Sequence, residues 1–204
     1  MSLKKSQFPH QSQKIRKIAI TGGIGCGKSY VCRSIEAAGY PIFYCDDEAK
    51  RIIRSDRKVQ QALIELVGTN VYNEEGKLVK PVLAAYLCRG KAYAAQVDAI
   101  VHPRVGECFL EWCERQTTDK VFMECALLFE SGFDRYVDFT IHVAAPQAVR
   151  LSRVMTRDNV SHEKAMEWMA LQMPEEEKAQ RADYIINNDG ETEIEPQIRQ
   201  ILED

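Results

Sequence analysis

Five short apolar runs, at 15–21, 42–45, 120–125, 139–145 and 183–187, are separated by longer stretches in which apolar positions recur at helical spacing. Runs of that length bounded by turn residues read as strands buried on both faces, and the stretches between them read as amphipathic helices. Strands alternating with helices predict an α/β fold: a doubly wound, five-stranded parallel sheet flanked by helices. Ligands in such sheets bind beyond the carboxyl ends of the strands, so the residues that close each run are the first candidates for chemistry.

The alternation is interrupted once. From about 47 to 116 the pattern stays helical, broken by Gly68-Thr69-Asn70, by Asn73-Glu74-Glu75-Gly76 and by His102-Pro103. An insertion of this kind forms a substrate-binding flap. The expected division is a core of about 15–46, 117–145 and 180–204, a helical insertion of about 47–116, and a helical lid of about 146–179. Residues 1–14 are rich in polar residues with no apolar period, and read as a flexible leader.

Between the first strand and the first helix stands Gly22-Gly23-Ile24-Gly25-Cys26-Gly27-Lys28-Ser29, a complete G-x-x-x-x-G-K-[ST] loop. Its glycines let successive N–H groups curl around phosphate oxygens. Lys28 reaches the β and γ phosphates, and the Ser29 hydroxyl is a ligand for Mg²⁺. The helix that follows adds the positive end of its dipole, so Gly22 through Tyr30 form the expected ATP contact. Cys26 lies inside this loop, where it is either an inert filler or a thiol made oxidation-sensitive by neighbouring positive charge.

Asp46, just after the second strand, is either the group that orients and deprotonates an acceptor hydroxyl or a helix cap, with Asp47 available for either role. Glu124 ends the third strand, where a carboxylate holds Mg²⁺. Arg150, Arg153 and Arg157 fall on one helix face and suit a lid that brings guanidinium groups onto phosphates. His102 precedes a proline and should sit at a kink, presenting its imidazole to the cleft or making a structural contact at a helix end.

Composition narrows the partners. A net charge of -3 over 204 residues, with no dense run of Lys or Arg, gives no support for nucleic-acid binding. No run is long enough to span a membrane and the N-terminal residues lack a signal-peptide core, so a cytoplasmic location is expected. The seven cysteines contain no C-x-x-C pair, which argues against a zinc site or disulfide framework. Oligomeric state is not written in these features.

Several segments together carry a resemblance to the dephospho-CoA kinase family. They are Thr21 through Ser29, Asp46, Ile100-Val101-His102-Pro103, Leu127-Leu128-Phe129-Glu130-Ser131-Gly132 and Arg153-Val154-Met155-Thr156-Arg157-Asp158. Gln172-Met173-Pro174-Glu175-Glu176-Glu177-Lys178, Ala182-Asp183 and Ile185-Ile186-Asn187-Asn188 complete the set. The resemblance implies a P-loop kinase with a helical CoA-binding insertion and a lid. Such an enzyme transfers the γ-phosphoryl of ATP, with Mg²⁺, to the ribose 3′-hydroxyl of dephospho-CoA, the last step of coenzyme A synthesis. It implies Asp46 as the catalytic carboxylate beside Lys28, Arg153 and Arg157 in the lid, and Asn188 near adenine. Lys50, His102, Leu127 and Phe129 are placed by it on the acceptor side. The chain departs from the family pattern at Tyr44 and Cys45 before Asp46, at Tyr30 after the loop, at Lys50, and at Glu124 and Ala126. Lys50 keeps a charge but lacks the planar fork of an arginine. The competing readings are a kinase for another small hydroxyl acceptor and a nucleotide-driven switch; no N-K-x-D guanine motif occurs in the chain.

Overall fold

A computed structural model describes residues 14–203, so the expected leader lies outside the described residues apart from Lys14. The strands are β1 (Arg16–Thr21), β2 (Ile42–Tyr44), β3 (Lys120–Glu124), β4 (Phe139–Ala144) and β5 (Tyr184–Asn187), all within a residue of their expected ends. They form one parallel sheet in the order β2-β3-β1-β4-β5. β1 is central because Ile18, Ala19 and Ile20 are buried on both faces, and its chain order reverses on either side. The crevice beyond its carboxyl end is therefore where ligands bind.

The helices are α1 (Lys28–Ala37), α2 (Cys45–Ser55), α3 (Arg57–Val67), α4 (Lys80–Leu87), α5 (Lys91–Cys113), α6 (Gln147–Asp158), α7 (His162–Ala170), α8 (Glu175–Arg181) and α9 (Ile194–Glu203). On one face of the sheet α1 and α9 bury Val31, Ile35, Ile194, Ile198 and Ile201 against Ile18, Ile20, Phe122 and Ile141. On the other face α2 to α5 bury a larger core around Phe43, Ile52, Leu63, Phe109 and Met123. The stretch without strands between β2 and β3 thus packs as a helical layer that continues the main core.

Two local expectations change. The helix after β2 starts at Cys45 rather than near Asp47, because Tyr44 is the extended residue at the N-cap (φ -94°, ψ 104°) and offers no side-chain cap. Asp46 is therefore not a cap. It stands in the first turn with Asp47 and Glu48, where the helix dipole favours carboxylates. Further on, α5 runs through Pro103 without ending. The proline leaves the Ala99 carbonyl without its usual donor, but Val97, Val101, Val105 and Phe109 form a buried stripe that holds the helix together on both sides.

Asp56 punctuates the insertion in a way its sequence does not advertise. Its carboxylate accepts from the N–H groups of Lys58 (3.0 Å) and Val59 (3.2 Å), capping α3, and from Arg104 Nε on α5 (2.9 Å). One side chain therefore starts a helix and ties it to its neighbour.

Candidate active site

The loop from Gly22 to Ser29 closes β1 and opens α1. Gly25 (φ 81°) and Gly27 (φ 93°) need the left-handed region, and Gly27 is also the N-cap of α1. A Cβ at Gly27 would overlap the side-chain nitrogen of Asn188, and one at Gly25 would lie 2.5 Å from the Arg150 carbonyl oxygen. Lys28 folds back so that Nζ donates to the Gly22 carbonyl (2.8 Å), which places its ammonium over the concave side of the loop.

Residues far away in sequence hold the loop backbone. Asn188, just after β5, donates from Nδ2 to the Cys26 carbonyl (2.8 Å), and its Oδ1 accepts from Arg153 (3.2 Å). Arg153 also donates to the Asn188 carbonyl (3.1 Å) and the Cys26 carbonyl (3.4 Å). Arg150 donates from Nε to the Ile24 carbonyl (3.0 Å) and pairs with Glu175 (3.4 Å). The Ile24 N–H donates to Gln172 Oε1 (2.7 Å). The loop is thus fixed from α6, from the connection between α7 and α8, and from the end of β5.

Above the loop opens a cleft of about 730 Å³. Its walls bring together Ile24, Gly25, Gly27, Lys28, Ser29 and Tyr30 with Asp46, Glu124, Arg153 and Arg157. Lys28, Ser29, Asp46, Glu124, Arg153 and Arg157 therefore meet here, whereas Asp47 and Arg150 do not line this cleft. Tyr30 is half-exposed and donates to Glu195 on α9 (2.6 Å), joining the cleft edge to the last helix. Arg157 is exposed and pairs with Asp158 (2.7 Å).

Burial pushes the Glu124 carboxyl above its ordinary pKa; Lys28 opposes this, while Asp46 and Asp47 add to it. Cys26 does not behave as an activated thiol. It is fully buried, and burial raises its pKa despite Lys28 and Arg150 nearby, which leaves the filler reading.

The acceptor-side candidates are dispersed. Lys50 is exposed and pairs with Asp47 (2.8 Å) one turn back. His102 packs against the Phe133 ring (5.2 Å between centroids), with Nε2 3.5 Å from Asp98 one turn back on α5, and it is not among the residues that line the cleft. Leu127 is 44% exposed, whereas Phe129 is 7% exposed and sits in the core beneath the Arg181 guanidinium (4.4 Å). Asn188 lies under the loop with both ends of its amide engaged and does not line the cleft.

Arg150 shares its helix face with Arg153 and Arg157 in the sequence pattern, yet it is 5% exposed and holds the loop at the Ile24 carbonyl rather than facing the cleft. Glu130, Gln172, Glu175 and Lys178 were visible only as motif letters. Lys178 is fully buried, pairing with Glu130 (3.2 Å) and donating to the Ala126 carbonyl (3.3 Å). Glu130 in turn accepts from the Met173 N–H (2.9 Å). Their signal was the clustering of charge in two apolar-flanked segments, which are here one interlocked layer behind the cleft.

The model of the family described as dephospho-CoA kinase matches residues 16–193. The chain belongs to the dephospho-CoA kinase family. Among the family's curated members, a dephospho-CoA kinase of Bacteroides fragilis (strain YCH46) is 43% identical over 187 residues, 91% of each chain. A crystal structure of a Thermus thermophilus protein superposes with a TM-score of 0.76 at 32% identity, covering 93% of this chain and 95% of that one. A dephospho-CoA kinase from Campylobacter jejuni, at 23% identity and a TM-score of 0.65, covers 92% of this chain and 95% of that one, and shares the fold. The family and its fold account for the parallel sheet, the phosphate loop and the use of ATP.

Proposed function

We propose that this dephospho-CoA kinase family member transfers the γ-phosphoryl of ATP to the ribose 3′-hydroxyl of dephospho-CoA, with Asp46 orienting that hydroxyl and accepting its proton. The observation that carries the reading is the meeting of Lys28, Ser29, Asp46, Glu124, Arg153 and Arg157 on the walls of one cleft. Phosphoryl transfer asks the protein for position and charge more than for covalent chemistry. Lys28 leaves the Gly22 carbonyl for the β and γ phosphates, and the loop amides take the remaining phosphate oxygens. Arg153 and Arg157 supply positive charge over the transferring group, where it counts most as charge moves toward the leaving oxygen.

The residues present suit Mg²⁺. Glu124 and Asp46 line the cleft with a hydroxyl, Ser29, an all-oxygen donor set of the kind that suits this ion. Ser29 and Glu124 would hold the ion, which would neutralise phosphate charge as the phosphoryl group is transferred. Among the described residues no group of three or more His, Cys, Asp or Glu converges on a metal position. Phosphate oxygens and water would complete such a shell, as is usual for this ion.

The insertion of about 47–116 is assigned to the acceptor and the segment of about 146–179 to the lid. Closure of the two excludes water and favours the acceptor hydroxyl over hydrolysis. No helix among the described residues is long and apolar enough to cross a membrane. The reading is tested by ADP release from ATP and Mg²⁺ with dephospho-CoA, AMP, adenosine or no acceptor, with the product weighed by mass spectrometry. A product heavier by one phosphoryl group with dephospho-CoA alone is expected. ADP release that does not depend on dephospho-CoA contradicts it.

A further inference from the structure

We infer that Gln172 is a γ-phosphate-binding residue whose carboxamide acts as a stand-in for the phosphoryl group until ATP arrives. The inference rests on the proposed kinase reading and concerns how the same cleft distinguishes ATP from ADP. Gln172 Oε1 accepts the Ile24 N–H at 2.7 Å. An N–H can only donate, so the oxygen end of the amide is the one that faces the loop. That N–H belongs to the phosphate loop, whose amides are there to meet phosphate oxygens, and Gln172 lines the same cleft as Lys28, Arg153 and Arg157.

The rest of the geometry separates a movable side chain from a fixed backbone. The peptide after Gln172 is pinned, since the Met173 N–H donates to Glu130 (2.9 Å) and Glu130 pairs with the buried Lys178 (3.2 Å). Ile24 itself is held from its other end, where Arg150 Nε donates to its carbonyl (3.0 Å) and Glu175 steadies Arg150. Release of Gln172 therefore frees one loop N–H without releasing the loop. A γ-phosphate oxygen arriving there takes over as acceptor. The Gln172 amide then turns to present its NH₂ group, which donates to the same phosphoryl group as charge builds on it. ADP has no atom at this position and leaves Gln172 on Ile24.

Two variants separate this role from a structural one. Gln172→Glu keeps an acceptor for the Ile24 N–H, so a residue that merely braces the loop would lose little. A carboxylate facing the γ-phosphate instead forfeits a donor and adds repulsion. Gln172→Met keeps the length, loses both polar ends, and serves as the second test if the charged variant folds poorly. The readout is binding of ADP and of a non-hydrolysable ATP analogue, each with Mg²⁺, by calorimetry, with dephospho-CoA phosphorylation by the unsubstituted protein run alongside. Loss of a hydrogen bond to a charged group should weaken the ATP analogue by about tenfold or more in either variant, while ADP affinity stays within about twofold. Equal weakening of both nucleotides, or no change in either, overturns the inference. Absence of phosphorylation by the unsubstituted protein would count against the kinase reading, and the ratio of nucleotide affinities would still decide the role of Gln172.

Discussion

The two walls of the cleft are built on different terms. On the nucleotide wall, the backbone of Ile24 and Cys26 is gripped by Gln172, Arg150, Arg153 and Asn188, side chains between 126 and 162 positions away in the chain. On the wall assigned to the acceptor, Asp46 stands exposed in the first turn of α2, and the charged pairs beside it lie within that helix, Lys50 with Asp47 and Arg51 with Glu48, with Arg51 also reaching Cys108 on α5 (3.8 Å). Exposed pairs of that kind contribute little and rearrange at little cost. The nucleotide wall is thus held by long-range contacts, whereas the wall assigned to the acceptor has few of them.

Substitutions that strike the nucleotide wall should sharpen that contrast. The largest effect is expected for Lys28→Ala, which removes the one ammonium over the loop. It should lower kcat/KM by about 10²- to 10³-fold, and weaken ATP measurably in direct binding. Glu124→Gln should come next, cutting the Mg²⁺-dependent rate by about tenfold to 10²-fold as a ligand to the ion is lost. The same change should raise Tm without ligand. The folded carboxyl has a raised pKa, so its ionisation is a cost to stability that is present at neutral and alkaline pH. The gain in Tm should shrink as pH falls through that raised pKa, and thermal melts across pH would show it. Asn188→Ala removes the buried amide between Cys26 and Arg153, and should weaken ATP by about tenfold with the acceptor KM unchanged.

A smaller effect lies behind the loop. His142 on β4 is 1% exposed, and both ring nitrogens lack a hydrogen bond. Glu175 Oε2 stands 3.4 Å from Nε2, yet burial, with Lys178, Arg150 and Lys28 around it, lowers the imidazole pKa from 6.5 to about 4. A depressed folded pKa means stability that is complete above 6.5 and lost as pH falls from 6.5 towards 4. The full loss amounts to roughly 3 kcal/mol. Denaturant melts of His142→Val should therefore show a flatter acid limb across that window than the unsubstituted chain.

The same contrast explains what the sequence makes legible. Strand ends, the parallel sheet and the phosphate loop follow from local apolar runs and a motif with fixed spacing. The positions of Lys28, Ser29, Asp46 and Glu124 then follow from the rule that strand carboxyl ends converge. Arg150 was misread because an i, i+3, i+7 face says which residues share a side of α6, not which way that side points; it points at Ile24, under the loop. His102 carries two readings in the sequence because a proline constrains its predecessor only statistically, and α5 continues through Pro103. Gln172 was invisible as a functional residue, since its partner is a backbone N–H that no pattern of side chains can specify.

The most direct test of the division between walls is to measure kcat and the ATP dissociation constant together for Asp46→Asn. Asparagine keeps the shape and loses the charge that the proposed mechanism uses to orient the hydroxyl and take its proton. The division predicts a kcat lower by about 10²- to 10⁴-fold with ATP affinity within about twofold of the unsubstituted protein. An unchanged kcat, or a fall in ATP affinity that matches the fall in rate, would contradict it.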